Sequence, residues 1–477
     1  MKKQISLIFF AVVLLVIYLS VGNYTSATAE FYVAPTGTKF SNGAINNPWD
    51  LQTALNGGNG LVKPGDTIWL RGGTYTGTFE SNLRGSTAAP IMVRQYPGER
   101  ATINSGSPGV VTLYIRGFDT WYWGFEVTNT DPNRSGISSR TTSIDVHGPR
   151  TKFINMIIHD GGQGFGFWSD APNSELYGNL IYNVGKEASD RGHGHSIYVQ
   201  NQSGTKTIED NILFNGFSFG VHEYTQGGFV NNIRIIGNTA FNHGILSKVS
   251  GAKANFLVWP GVNWANGILI KDNMGYYSPF TSSGRNLDLV SERCNGGEVT
   301  GNYFAGGTAA KNYECTAVNV HDNTFIGRVN GPGIPLNKNT VQTTKPTGTK
   351  IFVRPNKYEV GRSNVTIYNW DNLSSVLVDL SNAGLKSGDV YEIKDAQNFF
   401  GNPVVSGTYT GSPVSIPMTG LTAVRPIGDV PVIPSHTAPE FGVFVVLPKT
   451  TSAVIPTPTP TPTPTPPPTP TPTPPPP

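Results

Sequence analysis

The sequence predicts an all-β chain, a parallel β-solenoid followed by a small antiparallel β-sandwich, and three observations lead there. The composition is rich in turn formers and poor in charge: 56 Gly and 37 Pro among 477 residues, with 14% charged. Such a chain suits neither a helical bundle nor a coiled coil. An Asn recurs in a similar setting at positions 155, 179, 211, 238, 273, 302 and 323, with spacings of 24, 32, 27, 35, 29 and 21. Repeats of that length, with short β-branched runs and no helical periodicity, indicate coils stacked on one another. From about Gly348 the repeat stops, and seven short strand-like runs separated by turn residues follow.

The elements follow in chain order. Residues 1–29 read as a secretory signal: Lys2 and Lys3, an apolar run from Ile5 to Leu19, and the small residues Ala27, Thr28 and Ala29 before a predicted cleavage at Glu30. The apolar run is shorter than the ~20 residues of a spanning helix, and no later segment suits a bilayer, so no membrane span is expected once the signal is removed. The formal charge of +3 gives no electrostatic basis for binding nucleic acid. Residues 30–345 form the predicted solenoid. Its open end is expected to be covered by a short helix at Asn47–Leu55, with Asn47 as N-cap and Pro48 in the first turn. Residues 346–449 form the predicted sandwich, expected to cap the last coil and pack against it, with Tyr368 or Trp370 open to sugar binding. Residues 450–477 are a Pro/Thr-rich linker or stalk, all Pro and Thr from Pro456 onward. This is a polyproline II rod suited to contact with a cell wall.

The Asn column is explained by turns, where Asn tolerates a left-handed backbone and stacked amides can bond from coil to coil about 4.8 Å apart. A second polar column lies four residues later at His159, Asn183, Asn215 and Asn242, so His159 reads as a turn hydrogen-bonder. Cys294 and Cys315 each lie eight residues before a column Asn. They therefore share a position in consecutive coils, and a disulfide is predicted in an exported chain. The same register sets Arg293 beside Glu314 as a cross-strand ion pair.

The segments Phe31-Tyr32-Val33-Ala34, Lys63-Pro64-Gly65-Asp66-Thr67-Ile68 and Gly72-Gly73-Thr74-Tyr75, together with the Asn repeat, resemble the secreted right-handed parallel β-helix proteins of the pectin-lyase-like superfamily. The resemblance covers about residues 30–340. It implies a right-handed parallel β-helix and, for most members, a polysaccharide lyase, glycoside hydrolase or epimerase, with a minority of adhesins and binding proteins. The later strands resemble the C-terminal β-sandwich of many carbohydrate-active enzymes.

Five of eight histidines, His147, His159, His193, His195 and His222, fall between residues 147 and 222. Strand alternation sends Ile144, Val146, Phe167, Ile197, Val199 and Val221 inward. The outward face then carries Arg116, Asp145, His147, Trp168, Asp170, Tyr198, Gln200, His222 and Tyr224. Flat aromatics stack on sugar rings while the polar groups bond hydroxyls, so the stripe suits an extended polysaccharide. The coil from Asn179 to Asn211 carries extra charged, Gly-rich length, Lys186 to His195, placed to overhang that face.

Three chemistries fit these groups. β-Elimination on a uronate needs a cation, Arg or Ca²⁺, against the carboxylate and a base for the C5 proton; Arg191, Arg116 and His193 or His195 can serve. Hydrolysis needs two carboxyls, with Asp145, Asp170, Glu187, Asp190 and Glu223 as candidates. A metal-assisted site can use His193, His195, His222 and Asp190. Gly192-His193-Gly194 and Asn129-Thr130-Asp131 resemble signatures of the polygalacturonase-type hydrolases. No Asp-Asp pair lies between them, so only His193 is carried over. Glu223 alternates inward and would need a partner, while His243 and His321 read as structural. The resulting expectation is a secreted or cell-surface lyase, with His193, His195, Arg191, Asp190 and His222 as catalytic candidates. A hydrolase or a non-catalytic glycan-binding solenoid is the alternative.

Overall fold

The structure is a computed structural model and describes residues 28–106, 109–137, 139–249 and 251–449; the predicted signal, except for its last two residues, and the whole Pro/Thr-rich segment 450–477 lie outside them. Three parallel ladders wind around one apolar core. Sheet one holds eleven strands, from Glu30–Val33 through Lys152–Ile154 and Lys206–Glu209 to Asn319–His321. Sheet two contains Gly73–Thr76, Ile157–His159, Leu180–Tyr182, Ile212–Phe214, Thr239–Phe241 and Met274–Tyr276. Sheet three contains Phe79–Ser81, Val111–Ile115, Thr142–Val146, Phe165–Phe167, Ile197–Val199, Val221–Tyr224, Ala254–Trp259 and Arg285–Leu289. This is the right-handed parallel β-helix that the sequence predicts.

The Asn ladder stands at the turn from sheet one to sheet two. Asn179, Asn211, Asn238, Asn273, Asn302 and Asn323 are buried. Each of the first five donates its backbone N–H and its Nδ2 to the Oδ1 of the next, at 2.8 to 3.0 Å. Asn339 ends the series. Each amide also donates to a carbonyl of an earlier coil, as Asn238 does to Ile208.

Asn155 is displaced from this ladder by one residue. Ile154 pairs with Tyr177, which puts Asn155 opposite Gly178 and Met156 opposite Asn179. Asn155 shares its column with Gly178, Asp210, Gly237, Asp272, Gly301 and Asp322, all with φ between 52° and 69°. The left-handed position is therefore the one before the ladder, not the ladder itself. His159 shifts likewise: it pairs with Tyr182, and Asp160 takes the left-handed place beside Asn183, Asn215 and Asn242.

An Asn238→Ala variant removes a buried amide that closes five hydrogen bonds. Its stability, read from a denaturant titration, should fall by roughly 2–5 kcal/mol.

The first coil is covered by a helix, but only over Leu51–Leu55, capped by Asp50, whose side chain accepts from Thr53 N–H. Asn47 is not the cap, because the chain at 47–49 is still extended: Asn47 bridges Ala44 and Trp49 bridges Val33. Leu51, Ala54 and Leu55 close the core. Cys294 and Cys315 form the predicted disulfide, Cα atoms 5.3 Å apart. The Arg293–Glu314 pair does not form: Glu314 accepts from the Ser291 N–H, and Arg293 donates to the Gly261 carbonyl.

Seven antiparallel strands from Thr349–Pro355 to Phe441–Pro448 make a five-stranded and a two-stranded sheet. They do not cap the last coil. They lie along the flank of the solenoid, packing Tyr368, Trp370, Phe441 and Val443 onto Leu180, Tyr182, Phe214, Phe241 and Tyr276 of sheet two. That sheet is apolar outward as well as inward, so its outer face must be covered. Tyr368 and Trp370 are thereby buried and occupied, the Tyr368 hydroxyl bonding the Gly275 carbonyl and the Trp370 indole the Tyr303 hydroxyl. Neither is open to sugar.

Candidate functional site

With sheet two covered, sheet three carries the chemically dense outer face. Its register aligns Tyr114, Asp145, Gly166, Tyr198 and His222 in one row. Two residues on lie Arg116, His147, Trp168, Gln200, Tyr224 and Trp259. The predicted inward residues, including Ile144, Val146, Phe167, Ile197, Val199 and Val221, are all in the core.

The rings form a continuous track. Tyr114 stacks on His147 at 4.8 Å between centroids. His147 to Trp168 is 6.1 Å, Trp168 to Tyr198 5.3 Å, Tyr198 to Tyr224 6.1 Å and Tyr224 to Trp259 5.4 Å. Six adjacent coils at the ordinary strand spacing give a track of about 24 Å. The polar groups hold the rings in place: His147 Nδ1 bonds Asp170 at 2.8 Å, Gln200 donates to the Tyr198 hydroxyl, and Arg116 pairs with Glu80 over the Tyr114 ring. Burial raises the Asp145 carboxyl above its ordinary range, the Trp168 indole beside it acting the other way. Gly166 makes room for both, since a Cβ there would stand 2.0 Å from Asp145 Oδ1. Beneath the track the buried Lys206 ammonium bonds the carbonyls of Phe167, Trp168 and Gln200, which fixes the ends of two strands.

The extra length of the 179–211 coil is a hairpin, Lys186–Glu187 paired antiparallel with Gly192–His193. Asp190 and Arg191 sit at its tip, and His193 Nε2 bonds Asp190 Oδ1 at 2.8 Å. The hairpin is braced by the Lys186 ammonium on the Ile137 carbonyl and by Glu187 accepting from the Lys248 and Val249 N–H groups. An open depression of about 520 Å³ is lined by Gly136, Ile137, Lys186, Ser189, Asp190 and His193.

His195 and His222 form a second pair, His222 Nδ1 lying 3.1 Å from His195 Nε2, buried against Phe219 and Tyr198. Burial drives His195 well below its ordinary value. Burial first and Arg191 second lower His222 to about 3, so both rings are neutral at working pH.

The hairpin therefore divides the five catalytic candidates in two. Asp190, Arg191 and His193 share the accessible tip; His195 and His222 lie under the track. Among the described residues no group of three or more His, Cys, Asp or Glu side chains is placed to hold a metal ion. The four-residue metal set is thus not assembled, and the carboxylates do not cluster for Ca²⁺. Glu223 points into the core, fully buried, and is withdrawn as a hydrolytic carboxyl. His159 is no turn residue: it stacks on Tyr182 and bonds both Glu126 and Asp160, and those carboxylates hold it protonated to about 9 against the opposing effect of burial.

Tyr114 and Trp259 were not in the predicted stripe. Both were accessible to the same alternation, Tyr114 two residues before Arg116 and Trp259 on the next strand.

No family model matches the chain. Over 112 residues it is 33% identical to pectate lyase PEL9 of Emericella nidulans, covering 20% of this chain and 26% of that protein. The chain thus spans about a quarter of the length of that curated relative. Among solved structures, pectate lyase Pel9A superposes with a TM-score of 0.45 at 18% identity, covering 66% of this chain and 80% of that one. An alginate lyase from Paenibacillus gives 0.41 at 19% identity, covering 66% and 98%. The xylose complex of XylC gives 0.44 at 11% identity, covering 87% and 100%.

Proposed function

We propose that this chain is an exported polysaccharide lyase that cleaves a uronate-containing glycan by β-elimination, with the glycan laid along sheet three. The observation that carries the reading is the accessible Asp190–Arg191–His193 cluster on the hairpin that leads into a track strand, two residues before His195, whose ring lies 6.0 Å from that of Tyr198. The partial similarity to a pectate lyase supports it.

Asp190 accepts from His193 Nε2–H, which leaves Nδ1 with the lone pair and makes it the base. Arg191, whose nearest carboxylate contact is 3.9 Å to Asp190, is the cation available to the uronate carboxylate. It lowers the cost of the carbanionic transition state at C5. His193 takes the C5 proton, the C4–O4 bond breaks, a C4–C5 double bond forms, and the departing oxygen is protonated from solvent. Tyr198, Trp168 and Tyr224 stack on the sugars, while Gln200, Asp170, Asp145, His147 and Arg116 bond hydroxyls. The neutral His195–His222 pair supports Tyr198 from below.

The test is to offer pectate, alginate and a glycosaminoglycan. The ultraviolet absorbance of an unsaturated uronate should rise. New reducing ends without that absorbance would favour hydrolysis, the second reading, for which the raised Asp145 carboxyl is the suitable acid. Binding with neither signal would leave a non-catalytic glycan-binding solenoid.

A further inference from the structure

The aromatic track does not end at Tyr224. Trp259, the last residue of the strand Ala254–Trp259, is 44% exposed, and Trp264, in the loop that follows, is 53% exposed although that loop is held in place. The Val262 N–H donates to the Gln226 carbonyl, and Asn263 Nδ2 donates to the Gly228 carbonyl at 2.8 Å. Arg293 Nη1 reaches back to the Gly261 carbonyl at 2.7 Å. Two large indoles kept in water, one at a strand end and one on a braced loop, are not an accident of a flexible segment.

Arg293 is the second observation. Ala265 pairs with Cys294, and the Ala265 N–H donates to the Arg293 carbonyl at 2.8 Å. Trp264 and Arg293 are therefore register neighbours on adjacent coils. Among the described residues no carboxylate oxygen lies within 4.0 Å of the Arg293 guanidinium, since Glu314 is turned to the Ser291 N–H. Only one guanidinium nitrogen is committed to a carbonyl. Behind it, the Cys294–Cys315 disulfide ties this coil to the next, so the cation stands on a stapled strand.

We infer that Trp259, Trp264 and Arg293 form a distal subsite for a uronic acid residue of the bound chain, the indoles stacking on sugar rings and the guanidinium taking the carboxylate. The inference rests on the glycan reading of the track, and charge complementarity selects an acidic sugar over a neutral one. Trp259 and Trp264 lie two coils, and Arg293 three coils, beyond the strand that carries Tyr198, about 10 to 15 Å along the solenoid, so the subsite holds substrate away from the reacting bond.

The experiment is titration calorimetry of the full chain with polygalacturonate, with polymannuronate, and with polygalacturonate reduced at its carboxyls to a neutral polymer. Arg293→Gln should weaken binding of an acidic polymer about ten-fold and leave the reduced polymer unaffected. Trp264→Ala should weaken both about ten-fold. Equal loss on both polymers in Arg293→Gln, no loss on either, or no binding of any of these polymers by the unaltered chain overturns the subsite. Arg293-dependent binding without cleavage leaves the subsite and removes the lyase; cleavage with unchanged binding in Arg293→Gln does the reverse.

Discussion

Replacing His193 with alanine should slow cleavage of the uronate polymer by about 10²- to 10⁴-fold, the ordinary loss when a positioned general base is removed. Affinity for the polymer should change little, because the ring track and not the hairpin supplies most of the contact surface. The check is the initial rate of ultraviolet absorbance increase beside a calorimetric affinity. The expected split follows from geometry. His193 is partly exposed at the end of a two-residue hairpin strand, its ring hydrogen-bonded, among the described residues, only to Asp190. Its loss opens no cavity and leaves no buried group unpaired, so the variant should unfold at the same denaturant concentration. Asp190→Asn should give an intermediate rate, since the amide keeps a partner beside the ring but withdraws the charge that holds its tautomer. The same folded stability with an unaltered rate in the double change His193→Ala and Arg191→Ala would remove the hairpin from the mechanism.

The repeat was legible because the physics of a coil turn is local. A left-handed residue followed by a buried amide is a two-residue solution used in every coil, and six of the seven positions 155–323 lie on the ladder. The exception, Asn155, misleads because Asn can fill either place, and only the pairing of Ile154 with Tyr177 separates them. The outward stripe was legible by alternation, and the disulfide by equal offsets from the ladder. What the sequence hides is long-range. The buried Arg134 bonds Asp160, the Asn183 and Gly185 carbonyls, and the Ile427 carbonyl 293 positions away. No local pattern announces such a partner. The docking of the sandwich on sheet two had a readable sign: Leu180 and Tyr182, Ile212 and Phe214, and Met274 and Tyr276 are apolar at both outward positions. That sign specifies a covered face without naming the cover. The division of the catalytic candidates was illegible for a different reason, because His193 and His195 are one Gly apart yet differ in burial.

Glu223→Leu should stabilise the protein, and more at pH 8 than at pH 5. The carboxyl sits in a column of Ile115, Val146, Phe167, Val199, Val258 and Leu289. It is fully buried, and neither of its oxygens has a hydrogen-bond partner. Burial raises it to about 8 from its ordinary 4.5. The sign follows from proton counting. Below 4.5 both the folded and unfolded chains hold the proton. Between 4.5 and 8 the unfolded chain releases it while the folded chain retains it, so stability falls with rising pH by about 1.4 kcal/mol per unit. Above 8 both release it and the loss levels off. The whole effect is on the order of several kcal/mol, comparable to the net stability of many domains. His159 acts in the same direction: held protonated up to about 9, it contributes stability that is complete below its unfolded value of 6.5 and is lost as pH rises through 9. Glu126 lies outside this window, because its carboxyl is held near 2 by His159 and Arg100 against desolvation and loses its contribution only in strong acid. Urea titrations at pH 5 and pH 8 should therefore show the stability gain of Glu223→Leu over the unaltered chain growing with pH; the pH dependence of either protein alone does not isolate it, because His195, His222 and His243, whose values burial lowers, act in the direction opposite to His159. Parallel curves for the two proteins would show that Glu223 finds a partner or water in solution. Retained cleavage in Glu223→Leu would at the same time separate this acid from the chemistry on the other side of the sheet, since a side chain turned into the core acts on stability and not on the glycan.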